Sequence, residues 1–302
     1  MTSAAMLRHH AFVFESDDEY VARSVAFLKE GLEAGEGAVV GNTRDGLAKM
    51  RDALGPDADR VAFFDVSSTY TRPARAVAAY YGTFLQLLRG APSVRAVAAM
   101  QFAPTPGDWE EWAGYEAITN LAHAHLPVWV LCTYGANGLP DQILEDVWRT
   151  HPEVLSDGWH ASEHFQDPRE LVRKLTREPE PLPELRSFSG GEDLEVFRER
   201  LARELVAENV PAAKALDMLV AGTEVAANAV RHGAGIEEIR VGRVEGRFVC
   251  EVVDRGGGFD DPVAGYLPPR NGTGTGLWVA RQLTWRVEFF RSARGFTVRI
   301  WL

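Results

Sequence analysis

The chain has 302 residues, of which 46% are hydrophobic and 25% charged, and its formal net charge is −11. This length suggests two domains, and the composition is that of an ordinary soluble globular protein. The negative balance argues against a nucleic-acid partner and against attraction to anionic membrane surfaces, but it leaves room for an anionic ligand held by backbone amides or a metal ion.

Short apolar, β-branched runs open the chain at 11–14, 37–41, 60–66, 94–100 and 127–134. Between them, 17–35, 43–54, 74–89, 109–125 and 140–149 carry apolar residues at helical spacing. Strands and helices in alternation, with continuously apolar strands, predict an α/β domain with a parallel sheet covered on both faces. At 177–193 the pattern breaks into "REPEPLPELRSFSGGED", whose alternate prolines predict a stiff, extended linker over 177–191. Residues 1–176 and 192–302 are then the two domains.

The second domain predicts helices over about 192–208 and 211–231, an antiparallel pair at 237–254, a helix at 276–283 and a final hairpin. This is a two-layer α+β domain with helices on one face of a mixed sheet. In the second helix Leu216, Leu219, Val220, Thr223, Ala227 and Val230 predict the core face, and Glu224, Asn228 and His232 line up at steps of four on its flank. The strand "CEVVD" ends in Asp254 and runs into three glycines, which let backbone approach a flat ligand closely. "NGTGTGL" opens directly into a helix and can offer backbone N–H groups to phosphates. Each feature alone also reads as ordinary structure: a solvated helix edge, a turn, a loop. No lysine follows the glycines, so this is not a P-loop.

Cys132 and Cys250 lie in separate apolar runs and make no disulfide framework, which fits a reducing cytoplasm. No secretory signal opens the chain, and no apolar run is long enough to span a bilayer. A cytoplasmic location is expected.

In that order, the segments "TEVAANAVRHG", "DRGGGF" and "GTGTGLWVA" resemble the N, G1 and G2 boxes of the GHKL (Bergerat-fold) ATPases, and most closely those of the anti-sigma-factor serine/threonine kinases. The matching positions are Glu224, Asn228, His232 and Gly233; Asp254, Gly256 and Gly258; and Gly272, Gly274 and Gly276, with Thr273 and Thr275 between the last three. The resemblance implies ATP and Mg²⁺ as cofactors. Asn228 would bind the Mg²⁺, Asp254 would take the adenine amino group, and the glycine loop would close over the phosphates. Glu224 would accept the proton of an attacking serine or threonine hydroxyl. The stretch from Phe259 to Gly272 is short, as in those kinases, though its three prolines suggest a stiffer lid. No histidine lies in the helix at 192–208, so self-phosphorylation on histidine is not expected.

The first domain resembles the MEDS sensory domain, through "LRHHAFVFESDDEYVARSVAFLKEGLEAGEGAVVG", "WAGYEAITNLAHAHLPVWVLCTYG" and "LPDQILEDVWRTHPEVL". That resemblance implies a RecA-like fold, and "VVGNTRDGL" lacks the spacing and lysine of a Walker A loop. Parallel sheets bind ligands beyond the carboxyl ends of their strands. Tyr134 lies at such an end, whereas His9, at the start of the first strand, is expected at the opposite edge and outside the same pocket. Glu116, Asn120 and Cys132 are further sensory-ligand candidates, and a small-molecule signal is the expected ligand. "HASEH", His160–His164, has the H-x-x-E-H form of a zinc protease. It needs a helix that Gly158 and Pro168 leave little room for, and the remaining histidines, His151 among them, show no ligand spacing.

The resemblances together imply a cytoplasmic regulator that phosphorylates an anti-sigma-factor antagonist and sequesters a sigma factor under control of the first domain. A homodimer is a further implication, because such kinases often dimerise. The alternative is a non-catalytic, partner-binding switch with a structural or degenerate nucleotide site.

Overall fold

The apolar runs of the first half form one sheet in the computed structural model, which describes residues 7–302 except 71, 101–105, 138, 156–157, 177–178, 190, 192, 267–273 and 293. The chain divides into two compact units, Met1–Thr176 and Arg177–Leu302.

In the first unit β1 (Arg8–Phe14), α1 (Asp17–Glu33), β2 (Gly37–Asn42), α2 (Arg44–Leu54), β3 (Val61–Asp65), α3 (Pro73–Leu87), β4 (Val94–Ala99), α4 (Pro106–Ala122), β5 (Val128–Gly135) and α5 (Asp141–Thr150) alternate. Two short strands, β6 (Glu153–Leu155) and β7 (Trp159–Ala161), and α6 (Pro168–Leu175) complete it. The sheet order is β3-β2-β4-β5-β1-β6-β7, parallel except for the antiparallel β7 at its edge.

Side chains alternate across a strand. One face of β1 and β5 sends Phe12 and Leu131 into a core with Tyr20, Phe27 and Leu28 of α1 and Met50 and Leu54 of α2. The opposite face carries His9, Cys132 and Tyr134. Ser16 caps α1 by accepting from the Glu19 N–H at 3.2 Å, while the Glu19 carboxylate takes the Glu15 N–H at 2.9 Å, a variant of the capping box.

β2 passes into α2 through Thr43 alone. A Cβ on Gly46 would lie 2.3 Å from the Asn42 side chain, which is tied to the Tyr20 hydroxyl. No phosphate-wrapping loop fits in that turn, in keeping with the missing Walker A pattern. "HASEH" is a strand end followed by a turn, with His160, Glu163 and His164 exposed. The shared helical face that its metal spacing required does not exist.

In the second unit, β8 (Arg186–Ser189), α7 (Leu194–Ala207), α8 (Ala212–His232), β9 (Ile236–Val244), β10 (Arg247–Asp254), α9 (Thr275–Leu283), β11 (Arg286–Ser292) and β12 (Gly295–Trp301) make two layers. The sheet, in the order β11-β12-β10-β9-β8, is antiparallel throughout rather than mixed, because the last hairpin inserts β12, not β11, beside β10.

Its outer face buries an ionic group. The Glu251 carboxylate accepts from Arg240 Nη1 at 2.6 Å and from Arg299 Nε at 2.7 Å. The Pro-rich stretch is folded onto that face: Arg240 donates to the Leu182 carbonyl at 2.6 Å and Arg299 to that of Glu180 at 2.8 Å, and Leu185 is buried. The segment expected to be a linker thus belongs to this unit and adds β8 to its sheet. The guanidinium groups donate to carbonyls of a segment whose prolines have no N–H to offer a strand ladder.

The core face of α8 also differs from the expectation. Met218, Ala221, Gly222, Val225, Ala226 and Ala229 are buried, whereas Leu216 and Val220 are 63% and 39% exposed. Small residues face inward because the helix lies close against its neighbours: a Cβ on Gly222 would be 2.9 Å from Leu201 Cδ2. Among the described residues no helix is long and apolar enough to cross a membrane.

Candidate functional site

Between α8, the end of β10 and the start of α9 lies a cavity of about 940 Å³, lined by Glu224, Asn228, Asp254 and Gly276 among others. That volume is at the upper end of the roughly 300–1,000 Å³ of small-molecule sites. Glu224 and Asn228 are half-buried on the α8 flank, and His232 is exposed at its end. Val252 and Asp254 point from one face of β10, and Val298 and Phe296 stand opposite them on β12. The four give the cavity an apolar floor with one carboxylate.

The glycines are there because backbone meets backbone or a functional side chain. Gly233 follows α8, and a Cβ on it would lie 2.4 Å from Asp254 Cγ. A Cβ on Gly256 would lie 2.8 Å from the Gly233 Cα. The first two motifs therefore interlock: the turn after α8 seats against the turn after β10, and Asp254, 8% exposed, is clamped between them. Its Oδ1 accepts the Gly256 N–H at 2.8 Å. Burial raises its pKa above the usual carboxylate range, the Gly256 hydrogen bond and the charge of Arg291 opposing this. Gly258 has φ +61°, and a Cβ there would lie 2.1 Å from the Phe296 ring. Gly274 begins α9 at φ 77° and caps it with no side-chain hydrogen bond. The next glycine, Gly276, abuts the α8 flank: a Cβ would stand 2.8 Å from Glu224 Oε2 and 3.2 Å from Asn228 Nδ2.

The first part of the expected lid is a packed turn. Val263 is buried, Phe259 sits 5.0 Å from the rings of Phe289 and Phe296, and Arg281 of α9 donates to the Ala264 carbonyl at 2.8 Å. Gly272, Thr273, Pro268 and Pro269 lie outside the described residues; Gly274, Thr275 and Gly276 are at the cavity. Arg231, Val252, Phe259, Phe296 and Val298 also line it and are not among the candidates the sequence offers. Val252 was legible in principle, two residues before Asp254 on an alternating strand. Phe296 and Val298 reach the site only through a strand pairing that no local pattern reveals.

In the first unit the sensory candidates meet in one buried cluster. His9 Nε2 lies 3.3 Å from both Glu116 Oε2 and Cys132 Sγ, and His9 Nδ1 lies 3.2 Å from Asn120 Oδ1. The rings of His9 and His151 are 4.2 Å apart, and that of Tyr134 is 5.8 Å from His151. His9 is therefore not at an edge remote from Tyr134: β1 and β5 pair side by side, with Ala11 opposite Cys132, and the imidazole reaches along the shared face. His151, whose sequence spacing carries no ligand signal, joins them because α5 delivers it from elsewhere in the chain. Burial holds the Cys132 and Tyr134 pKa values well above their usual ranges, Glu116 adding to both, and pushes that of His151 well below.

Two family models match the chain: MEDS, the methanogen/methylotroph, DcmR sensory domain, over residues 8–152, and the histidine kinase-like ATPase domain over residues 191–302. No curated protein matches it. The chain is thus a MEDS sensory domain fused to an ATP-binding, histidine kinase-like domain of the Bergerat architecture.

Proposed function

We propose that this fusion of a sensory and an ATP-binding domain is a serine/threonine kinase of the anti-sigma type, its activity set by the MEDS domain. The observation that carries the reading is the convergence of Glu224, Asn228, Asp254 and Gly276 on one cavity. The cradle fits a magnesium nucleotide. Asp254 offers a fixed carboxylate oxygen to an exocyclic amine at the apolar end. The amide of Asn228 stands beside the α9 N-terminus, which favours negative charge, and would hold the Mg²⁺ there. Bound ATP would supply the phosphoryl group, and its Mg²⁺ would offset the charge that develops on transfer.

The protein's own contribution is positioning and a base. Glu224 lies one helical turn before Asn228, at the same end of the cavity. It takes the proton from the attacking hydroxyl, a contribution of about 10²–10⁴-fold. The backbone N–H groups from Gly274 to Gly276 orient the phosphates. A serine or threonine acceptor rather than an internal histidine is supported by α7, Leu194–Ala207, which precedes the nucleotide helix and carries no histidine. On this reading the partners are an anti-sigma-factor antagonist, as phosphoryl acceptor, and a sigma factor.

The test is phosphotransfer from labelled ATP to candidate antagonist proteins by wild type and Glu224→Ala. Equal ATP affinity with at least a hundredfold loss of transfer in the variant is the expected result. Transfer unaffected by the substitution, or absent in the wild type beside intact partner binding, favours the non-catalytic switch.

A further inference from the structure

The buried cluster of the first unit has the donor set and spacing of a metal centre. Glu116 is 1% exposed, and its ion-pair partners among the described residues are the imidazoles of His9 and His151 rather than a lysine or arginine. Its Oε2 is surrounded by His9 Nε2 at 3.3 Å, His151 Nε2 at 3.7 Å and Cys132 Sγ at 3.8 Å, and its Oε1 accepts no hydrogen bond. A carboxylate so placed calls for a positive partner.

Hydrogen bonds outside the cluster decide which ring atoms face it. The Asn120 amide donates through Nδ2 to the carbonyls of Glu116 and Thr150, at 3.2 and 2.8 Å, so its Oδ1 must face His9 Nδ1. Nδ1 of His9 therefore carries a hydrogen, and Nε2 is the atom presented inward. His151 is held the same way: its Nδ1 lies 2.9 Å from the Val147 carbonyl, and its buried Nε2 has no hydrogen-bond partner. A ring N–H fixed by a carbonyl or amide oxygen while the other nitrogen points at a shared centre is the outer-shell arrangement of metal-binding histidines.

His9 Nε2, Glu116 Oε2, Cys132 Sγ and His151 Nε2 come from four separate elements, and one ligand atom of each lies within 4.8 Å of all the others. Around a tetrahedral ion with bonds of about 2.0–2.3 Å, ligand atoms stand roughly 3.3–3.6 Å apart, close to the 3.3, 3.3, 3.7 and 3.8 Å of the His9–Glu116, His9–Cys132, His151–Glu116 and Cys132–Glu116 pairs. We propose that His9, Glu116, Cys132 and His151 bind one borderline-soft divalent transition metal, zinc foremost, in the sensory unit. A sulfur and two imidazoles exclude the hard cations magnesium and calcium. Two neutral imidazoles, one thiolate and one carboxylate sum to −2, which a divalent ion cancels, so the centre is neutral where no solvent screens it. The ion would tie β1, α4, β5 and the end of α5 together, giving the unit a metal-loaded and a metal-free state. This site is independent of the nucleotide reading.

The test uses the full chain. Metal analysis of the purified protein should find about one zinc per chain, and zinc-edge X-ray absorption should show one sulfur at about 2.3 Å with nitrogen or oxygen at about 2.0–2.2 Å. Cobalt titrated into chelator-treated protein should give a thiolate-to-cobalt band at one equivalent. That band should vanish in Cys132→Ser, and Asn120→Ala should bind about 10–100-fold more weakly. Absence of stoichiometric uptake, a sulfur-free shell around zinc, or a thiolate band that survives in Cys132→Ser would each overturn the proposal. The wild-type absorption measurement decides the matter even where a variant fails to fold.

Discussion

Gly233→Ala isolates the interlock of the two turns. Gly233 has φ −101°, a conformation alanine adopts freely, so the substitution acts through space alone. The added Cβ would lie 2.4 Å from Asp254 Cγ and 2.5 Å from its Oδ2, about 1 Å closer than ordinary contact. Asp254 is held at 2.8 Å by the Gly256 N–H, and Gly256 is itself against Gly233, so the carboxylate must leave its place. Losing one hydrogen bond to a charged acceptor costs about 1.5–3 kcal/mol. ATP affinity should therefore fall by about 10–150-fold, with a stability loss of about 1–3 kcal/mol from overpacking. Gly257→Ala is the matched control: its Cβ meets nothing within 4 Å, and both affinity and stability should be unchanged. Calorimetric titration of both variants with ATP, alongside thermal melts, reads the comparison. An affinity in Gly233→Ala within threefold of wild type would refute the argument that Asp254 in this position holds the base.

Asn228→Ala should leave the fold intact and make ATP affinity indifferent to Mg²⁺, read by titration with and without the ion; a retained Mg²⁺ response would remove Asn228 from the phosphate end. Glu251→Ala leaves Arg240 without its carboxylate and Arg299 with only the longer Glu288 pair at 3.4 Å, and should cost the second unit about 3–5 kcal/mol in urea unfolding; a loss below 1 kcal/mol would contradict the buried-pair account. His123, buried against Tyr81 and Phe84, has its pKa pushed down to about 3 by loss of solvent. Above pH 6.5 it is neutral in both states. Below that the unfolded chain takes up a proton that the folded one refuses, so stability falls from pH 6.5 towards 3, by at most about 1.4 kcal/mol per pH unit. His123→Phe should flatten the acid-unfolding profile of the first unit by one proton's worth; equal steepness in the two proteins would exclude it.

What the sequence made legible was whatever local chemistry dictates. The parallel strands of the first unit are continuous apolar runs, and Glu224, Asn228 and Asp254 stand in motifs whose glycines have steric reasons close at hand. Besides the β10–β12 pairing that brings Phe296 and Val298 to the cavity, four features were not legible. The buried face of α8 is not legible because Leu216 and Val220 outweigh alanine and glycine in hydropathy, while close packing selects the small residues. The Pro-rich stretch read as a linker because its anchors, Arg240 and Arg299, lie about 60 and 119 positions away. Strand direction alone sets His9 apart from Tyr134 and leaves out the length of the imidazole side chain along the sheet. His151 had no signal at all, since its partners come from β1, α4 and β5.

On the proposed reading, the cavity between α8 and α9 holds a magnesium nucleotide through Asp254 and Asn228. Calorimetric titration of the full chain with ATP, with and without Mg²⁺, tests it most directly, with Asp254→Asn in parallel. In that variant, if Oδ1 keeps the Gly256 N–H, an amide N–H₂ faces the adenine amine, donor against donor. The wild type should show saturable, Mg²⁺-enhanced binding at one site, and Asp254→Asn at least tenfold weaker binding. No saturable binding, or equal binding in both proteins, would contradict it.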